Sequence, residues 1–368
     1  MPRLSRSTPP EDSTGPAASL VDDALGVAQL SIDGVLSVTE LVEHLHAAIS
    51  QGAALPAGPG APRTRGLPGF VYGRVRDVVR GVGWGIQTAL TPFRGRLRVD
   101  RVEREHLRAA LNGISGDWLA RAGNPLAIPM RLKFDGREPG NRIAVFVHGL
   151  CMHDRQWPRG EGSMHAAARD LGYTPVYLHY NSGQSVSVNG AEFSRQLDAL
   201  LADWPRRVDK LAVVGHSMGG LVTRQACAHA ETEGATWLQS LRTLVFLGTP
   251  HRGSSIERAG TQFDFALGMS PYSEPFARLG RRRSLGIRDL GRDHSDAELP
   301  PGVDTYVVAG KLAGHNDGLV SVRSALGLPV PEDRQVIVDG AGHLSLMRHP
   351  EAVATLERAL ASRRRWRA

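Results

Sequence analysis

The chain has 368 residues, of which 41% are hydrophobic, and this is enough to bury one large core or two smaller ones. Its two cysteines, Cys151 and Cys227, are too few for the disulfide framework of a small secreted protein, and we expect both to be buried thiols. No run approaches the roughly 18 to 20 apolar residues of a membrane-spanning helix, and the N-terminal residues lack the apolar stretch of a secretory signal. We therefore expect a globular, cytoplasmic protein.

The charge balance of the chain is basic. The formal net charge is +7, and arginines cluster in two runs, at 281–283 and 363–367. A basic surface can attract nucleic acid, anionic lipid or an acidic substrate. No zinc-finger spacing, RNA-binding aromatic signature or helix-turn-helix pattern accompanies the arginines. We therefore predict no nucleic-acid partner and interpret the charge as a solvated face with a short basic tail at 363–368.

The first 125 residues have the pattern of a small helical region. Residues 1–20 are dominated by Ser, Pro, Gly and charge, which predicts disorder. A Gly/Pro-rich linker at 51–70 interrupts the helical patterns, which span 21–50, 71–90 and 99–121. The sequence therefore predicts a disordered N-terminus followed by a helical N-terminal region over residues 21–125.

The stretch at 71–90 has one apolar face. Apolar residues recur there at spacings of three and four, namely Val71, Val75, Val78, Val79, Val82 and Ile86. The arginines of the same stretch lie largely off this face, at Arg74, Arg76 and Arg80. We expect the face to pack on the rest of the protein or on another helix. The alternative is a peripheral contact in which the basic helices lie on an anionic membrane surface.

From about Pro125 onward, short β-branched runs alternate with helical segments. The runs lie at 143–147, 176–178, 211–214, 244–247, 306–308 and 336–338. Near-continuous apolar strands of this kind are typical of a parallel sheet that is covered on both faces, and the alternation with helices predicts a doubly wound α/β domain over 126–362. More than fifty residues separate the fourth run from the fifth, so we predict a lid over the active site at about 255–302.

The motif Gly215-His216-Ser217-Met218-Gly219 is the candidate nucleophile turn. It follows the predicted strand at 211–214 and precedes Gly220 and a helical run, which is the strand-turn-helix setting that such a serine needs. Neighbours without a Cβ atom let the strand and the helix approach while the serine hydroxyl projects from a strained turn. Ser217 is therefore the predicted nucleophile.

A serine hydroxyl needs a base, and the base is expected on a loop after the acid. His343 follows the last predicted strand, in Asp339-Gly340-Ala341-Gly342-His343-Leu344, and is the predicted base. His251, which follows the strand at 244–247, is the rival base. His315 and His349 are weaker candidates.

The acid must hold the imidazole in the correct tautomer and stabilise the imidazolium that forms. Asp317 follows the penultimate predicted strand, in Gly314-His315-Asn316-Asp317-Gly318, and is the predicted acid. Asp339 ends the last strand and is its competitor, although it also suits a turn in which its side chain caps the backbone. We favour Asp317, because the acid and the base normally come from the loops after the last two strands.

Two backbone N–H groups are expected to bind the oxyanion of the reaction. One belongs to Met218, at the N-terminus of the helix that follows the nucleophile. The other is expected from His148-Gly149-Leu150, after the strand at 143–147, where the glycine lets the chain turn so that the N–H of Leu150 points into the site.

These motifs together resemble those of the α/β-hydrolase lipases and esterases, in particular the bacterial triacylglycerol lipases and the GPI inositol-deacylase-like hydrolases. The resemblance rests on HGL at 148–150, GHSMGG at 215–220, GTPHRGS at 248–254, NDGLVSVRS at 316–324 and GAGHLSLM at 340–347. It implies an α/β-hydrolase fold, with Asp317 as the acid and His343 as the base. No family is recognised in residues 1–125.

The chain departs from the lipase group at two places. Lipases of that group often have a disulfide-forming cysteine after the acid motif, where this chain has Val322-Arg323-Ser324, and a calcium-binding aspartate after the histidine, where it has Leu344-Ser345-Leu346. Both departures indicate an intracellular enzyme without metal or cofactor and argue against a secreted fat-digesting role.

The sequence thus predicts a serine hydrolase that cleaves carboxylic esters through an acyl-enzyme. Apolar residues of the predicted lid favour lipid-like or acyl esters, namely Phe263, Phe265, Leu267, Met269 and Phe276. The alternative is a catalytically idle α/β-hydrolase scaffold that acts as a membrane-surface or protein-interaction module. Acyl transfer and thioester hydrolysis could use the same triad, and the sequence does not indicate an oligomeric state.

Overall fold

The computed structural model describes residues 25–33, 35–36, 39–40, 43, 66–90, 101–134, 138–254, 284–294, 298–312 and 314–362. The predicted disordered N-terminus at 1–20, the basic tail at 363–368 and the part of the predicted lid between 255 and 283 lie outside these residues. The lid phenylalanines and the arginine run at 281–283 therefore lie outside the described residues as well.

In the described part of the chain, seven strands form one sheet. They are β1 (Arg131–Phe134), β2 (Arg142–Val147), β3 (Thr174–His179), β4 (Lys210–His216), β5 (Leu241–Leu247), β6 (Asp304–Lys311) and β7 (Gln335–Asp339). Their order across the sheet is β1-β3-β2-β4-β5-β6-β7. Strand β1 pairs antiparallel with β3, and every other neighbouring pair is parallel. The predicted mostly parallel, doubly wound sheet is confirmed.

The central strands are apolar without interruption because both of their faces are buried. In β2, Val145 and Val147 belong to the core on one face, whereas Ala144 and Phe146 belong to the core on the other. Successive side chains of a strand point to opposite faces, so a strand that is covered on both sides needs an apolar residue at each position. Strand β4 follows the same rule and carries the nucleophile turn at its end.

Helices cover both faces of the sheet. Apart from the helical residues 25–33, 35–36, 39–40 and 43, the helices of the described chain are α1 (Gly66–Leu90), α2 (Arg101–Arg121), α3 (Met164–Asp170), α4 (Val186–Asp203), α5 (Met218–Glu233), α6 (Leu285–Leu290), α7 (Val322–Ala325) and α8 (Pro350–Ala361). Apolar residues of α4 and α5 lie in one core, and those of α3 and α8 lie in the other. Together with the strand order, this is the α/β-hydrolase fold that the motifs imply.

The contacts divide the chain into two units, and the division differs from the predicted boundary at residue 126. One unit contains Arg101–Ala120 and Ala127–Ala368, and the other contains Ser13–Asp100 and Arg121–Leu126. Helix α2, which the sequence assigns to the N-terminal region, therefore groups with the sheet. Its Ile114 shares a buried apolar cluster with Ile287 and Val320, and this packing explains the grouping.

Helix α1, in the second unit, carries its apolar stripe on an exposed side. Four residues of the predicted face are 39 to 65% exposed, namely Val71, Val75, Val78 and Val82. A charged residue of the same helix lies inward instead, because Arg76 forms an ion pair with the buried Glu43. The stripe that was expected to pack is thus exposed. No helix among the described residues combines the length and the apolar character needed to cross a bilayer.

Candidate active site

Ser217 lies at the turn between β4 and α5, as the sequence predicts. Its φ of 54° and ψ of −125° are sparsely populated by residues other than glycine. The flanking glycines are required by close packing: a Cβ at Gly215 would lie 2.7 Å from the Cα of Gly220, and one at Gly219 would lie 2.4 Å from the carbonyl oxygen of Val147. The backbone N–H of Ser217 donates to the carbonyl of Leu247 at 2.9 Å, which ties the turn to β5.

Asp317 and His343 meet at the carboxyl edge of the sheet, on the loops after β6 and β7. The Nδ1 atom of His343 lies 2.7 Å from Oδ2 of Asp317, and the N–H of His343 donates to the carbonyl of Asp317 at 2.9 Å. Both residues are buried, with 2% and 6% exposure. Gly248, after β5, packs against the pair, since a Cβ there would lie 3.1 Å from Oδ2 of Asp317.

The surroundings of Asp317 favour its ionised form. Burial by itself raises the pKa of this carboxyl, but His343 and the hydrogen bonds to the carboxylate outweigh the burial and hold the pKa below its usual value. Its Oδ1 atom accepts from the N–H of Leu319 at 3.0 Å and from that of Val320 at 2.7 Å. An ionised Asp317 accepts the Nδ1 proton of His343, so the Nε2 atom of a neutral His343 is left able to take a proton.

His216 fixes the loop that carries His343, the predicted base, and the sequence did not predict this role. Its Nε2 atom lies 3.0 Å from the carbonyl oxygen of His343, so this nitrogen carries the proton and donates. The two rings lie 4.8 Å apart. Burial, followed by the neighbouring His343, lowers the pKa of His216 to about 3, so the ring is neutral near pH 7. The only sequence signal was its place beside Ser217 in the motif.

The rival residues are not brought together with Asp317 and His343. His251 is fully buried and packs edge-on against Phe246, with its Nδ1 atom 3.4 Å from a guanidinium nitrogen of Arg224. Burial and then Arg224 hold the pKa of His251 well below its usual value. Asp339 is exposed and pairs with Lys311 at 2.9 Å.

The remaining two histidines are also apart from the pair. The Nδ1 atom of His349 accepts from the N–H of Glu351 and thereby caps α8, and His315 is exposed on the surface.

The predicted oxyanion donors flank the nucleophile turn. A Cβ at Gly149 would lie 3.1 Å from the Cβ of Ser217, so the loop that carries Leu150 touches the nucleophile. Met218 is the first residue of α5, where backbone N–H groups have no partner within the helix and the helix dipole is positive. Met218 follows Ser217 directly and Leu150 follows a glycine that approaches it, so both predicted donors belong to segments next to the nucleophile.

An apolar cluster adjoins this polar site. It contains Ile114 from α2, Ile287 from α6 and Leu319 beside the predicted acid, and Leu150 packs against it. Among the described residues, no group of three or more His, Cys, Asp or Glu side chains is placed to hold a metal ion.

One segment of the chain is similar to a known protein family. The PGAP1-like alpha/beta domain family matches residues 138–275, a segment that contains the nucleophile turn but neither Asp317, His343 nor α2. No curated protein matches the chain.

Solved structures of lipases and related proteins are similar to this chain. The mature lipase BlEst2 of Bacillus licheniformis is 19% identical with a TM-score of 0.46, and the match covers 63% of this chain and 98% of the lipase. A lipase-esterase related protein of Clostridium acetobutylicum is 13% identical with a TM-score of 0.40, covering 62% and 96%. Phospholipase PlaB of Legionella pneumophila is 16% identical with a TM-score of 0.46, covering 61% of this chain and 60% of PlaB.

Proposed function

We propose that the protein hydrolyses carboxylic esters through an acyl-enzyme formed on Ser217. The observation that carries the proposal is the 2.7 Å contact between His343 and Asp317, at the same sheet edge as a serine with a φ of 54°. A buried acid–histidine pair next to a strained strand-to-helix serine is the arrangement that acyl-transfer catalysis requires. Asp317 orients His343, and His343 serves as the base.

The reaction has two stages, which are the acylation and the deacylation of Ser217. Oγ of Ser217 attacks the ester carbonyl while Nε2 of His343 takes the hydroxyl proton, and the N–H groups of Leu150 and Met218 stabilise the oxyanion. Collapse of this intermediate breaks the bond to the alcohol, which leaves with the proton from His343. A water molecule then repeats the sequence on the acyl-enzyme, yielding the acid and free Ser217.

The substrate class that we propose is an ester with an apolar acyl chain. The support is the apolar cluster next to the site, which contains Ile114, Ile287 and Leu319 and which Leu150 adjoins. Ile114, Ile287 and Leu319 are buried, at 2 to 7% exposure, so this side of the site is apolar. The cytoplasmic location and the absence of a cofactor stay predictions from the sequence.

A panel of p-nitrophenyl esters of increasing acyl length tests this function. We expect turnover by the unchanged chain and a preference for chains longer than acetyl. Ser217→Ala should reduce kcat by several orders of magnitude, up to about 10⁶ in comparable triads. Ser345→Ala provides a control serine, because within the described part of the chain the hydroxyl of Ser345 bonds to the carbonyl of Gly342 in its own turn. Turnover by Ser217→Ala near the unchanged rate would reject the proposal.

A second candidate function, contact with an anionic membrane surface, is favoured by the exposed stripe of α1. The stripe residues Val71, Val75, Val78 and Val82 lie on one side of the helix, and Phe70 and Trp84 are also exposed, at 60% and 72%. Arg74 and Arg80 of the same helix are exposed and complement a negative surface. We propose that this face rests on anionic lipid.

Vesicle binding by the full chain tests the membrane contact. We expect sedimentation with phosphatidylcholine–phosphatidylglycerol vesicles that weakens with salt, and little binding to phosphatidylcholine alone. Val75→Asn with Val78→Asn should reduce binding. Val188→Asn is the matched control, because Val188 is 51% exposed on α4. Equal binding by both variants, or no binding by the unchanged chain, would reject the membrane contact.

A further inference from the structure

The turn that carries Leu150 has an unfavourable backbone conformation. Residues 149–152 form a turn closed by the N–H of Met152, which lies 3.4 Å from the carbonyl oxygen of Gly149. Cys151 occupies the third position with a φ of 58°. That position of such a turn normally takes glycine or asparagine, since other side chains are strained at positive φ. Neighbouring groups must therefore hold this conformation.

Two hydrogen bonds from the loop after β3 fix the turn on either side of Leu150. The hydroxyl oxygen of Ser182 accepts from the N–H of Cys151 at 3.0 Å, and the hydroxyl of Tyr180 donates to the carbonyl of His148 at 2.8 Å. Both side chains are 1% exposed. The bond to Ser182 fixes the peptide plane between Leu150 and Cys151, and this limits how the N–H of Leu150 can be aimed.

Helix α2 closes the other side of the turn through a backbone approach that only glycine permits. A Cβ at Gly113 would lie 2.2 Å from the sulfur of Cys151 and 3.0 Å from its Cα and N atoms. Further along the helix, the carbonyl of Gly116 accepts from the side-chain amide of Asn181 at 2.8 Å. Burial raises the pKa of the Cys151 thiol to about 12, so this side chain is a neutral packing group.

We propose that Gly113 of α2 and Ser182 are positioning residues for the oxyanion site, which hold the Leu150 N–H beside Ser217. The inference rests on the ester-hydrolase function proposed above. It adds a segment of the chain to the catalytic apparatus, because α2 lies outside residues 138–275 that the PGAP1-like family matches. The helix acts through the turn and does not touch the reacting atoms.

Gly113→Ala tests the role of the helix. The new methyl group displaces Cys151 and with it the donor, so kcat should fall by about 10 to 100-fold, up to the loss expected for one oxyanion donor. KM should change little, because the donor acts on the transition state. Gly160→Ala is the matched control: a Cβ there meets nothing within 4 Å, and we expect unchanged kinetics.

Rescue by Cys151→Gly separates positioning from a general loss of folding. Glycine removes the sulfur that the methyl group of Gly113→Ala would meet and accepts a φ of 58° without strain. The contacts of the new methyl group with the Cα and N atoms of residue 151, at 3.0 Å, remain, so the double variant should regain a measurable part of the lost kcat, and Cys151→Gly alone should stay active. A loss of kcat that Cys151→Gly leaves unrestored would overturn the role of Gly113.

Ser182→Ala is an independent test that does not crowd the turn. It removes the acceptor of the Cys151 N–H, so kcat should fall while KM and the thermal midpoint change less. If Ser217→Ala is inactive but Ser182→Ala and Gly113→Ala both keep the wild-type kcat, the positioning inference is overturned and the proposed function stands. If the unchanged chain shows no turnover that depends on Ser217, the proposed function fails, and this inference fails with it.

Discussion

The central sheet and helix α1 both have regular apolar patterns, but the apolar residues are buried in the sheet and exposed on the helix. In β2 and β4 every side chain from Ile143 to Val147 and from Leu211 to Val214 is buried. In α1 the valines at 71, 75, 78 and 82 are exposed. A strand that is apolar at every position is expected to be buried on both faces. A helical spacing of three and four shows which side is apolar and leaves open what that side contacts.

The largest difference in kcat is expected between variants of the two aspartates that the sequence indicated as candidates for the acid. We expect Asp317→Asn to reduce kcat by about 10⁴-fold, because the amide no longer holds His343 in the tautomer that accepts a proton from Ser217. Asp339→Asn is the matched change at an exposed site that pairs with Lys311, and it should leave kcat unchanged. Steady-state kinetics on one ester measures both, and equal losses would refute the assignment of the acid.

The two regions should also differ in stability when a phenylalanine is truncated. Phe246 of β5 is fully buried and packs against His251 at a ring distance of 5.1 Å. Phe246→Ala should lower the free energy of unfolding by about 3–5 kcal/mol, because it removes buried apolar area and leaves a cavity. Urea denaturation measures the change. A loss below 1 kcal/mol, on the order of a surface substitution, would contradict the two-sided core.

Acid should weaken the sheet region through Asp317. The pKa of this carboxyl is lower in the folded chain than its usual value of 3.8, so its contribution to stability is present above about pH 4 and is lost as the pH falls through the folded pKa. The difference in unfolding free energy between the unchanged chain and Asp317→Asn should therefore shrink from pH 7 to pH 3. A difference that grows on acidification would show the opposite sign.

The smallest effect is expected on α1. Phe70 is 60% exposed, and Phe70→Ala should change the free energy of unfolding by no more than about 0.5 kcal/mol. The same urea experiment that tests Phe246→Ala measures it. A loss comparable to that of Phe246→Ala would mean that the stripe side of α1 is packed, and would remove the basis of the proposed membrane contact.

The sequence predicted the sheet and the order of the site residues because both follow from local patterns. Strands that are buried on both faces can be recognised in the sequence as short apolar runs. The carboxyl ends of parallel strands meet at one edge of the sheet, so Ser217, Asp317 and His343 were expected to converge. The roles of His216 and Ser182 could not be read, since they depend on contacts with residues far away in the chain. The close approach of helix α2 to Cys151 at Gly113 could not be predicted either, since it also joins residues that are far apart in the chain.

Covalent labelling with a fluorophosphonate, followed by mass spectrometry of the labelled peptide, tests the central claim most directly. The reagent reports a serine that is activated by its base, independently of the natural substrate. We predict a single adduct on Ser217, none in Ser217→Ala, and much slower labelling in His343→Ala. A folded chain with an intact Ser217 that fails to label would contradict the account and favour a catalytically idle scaffold.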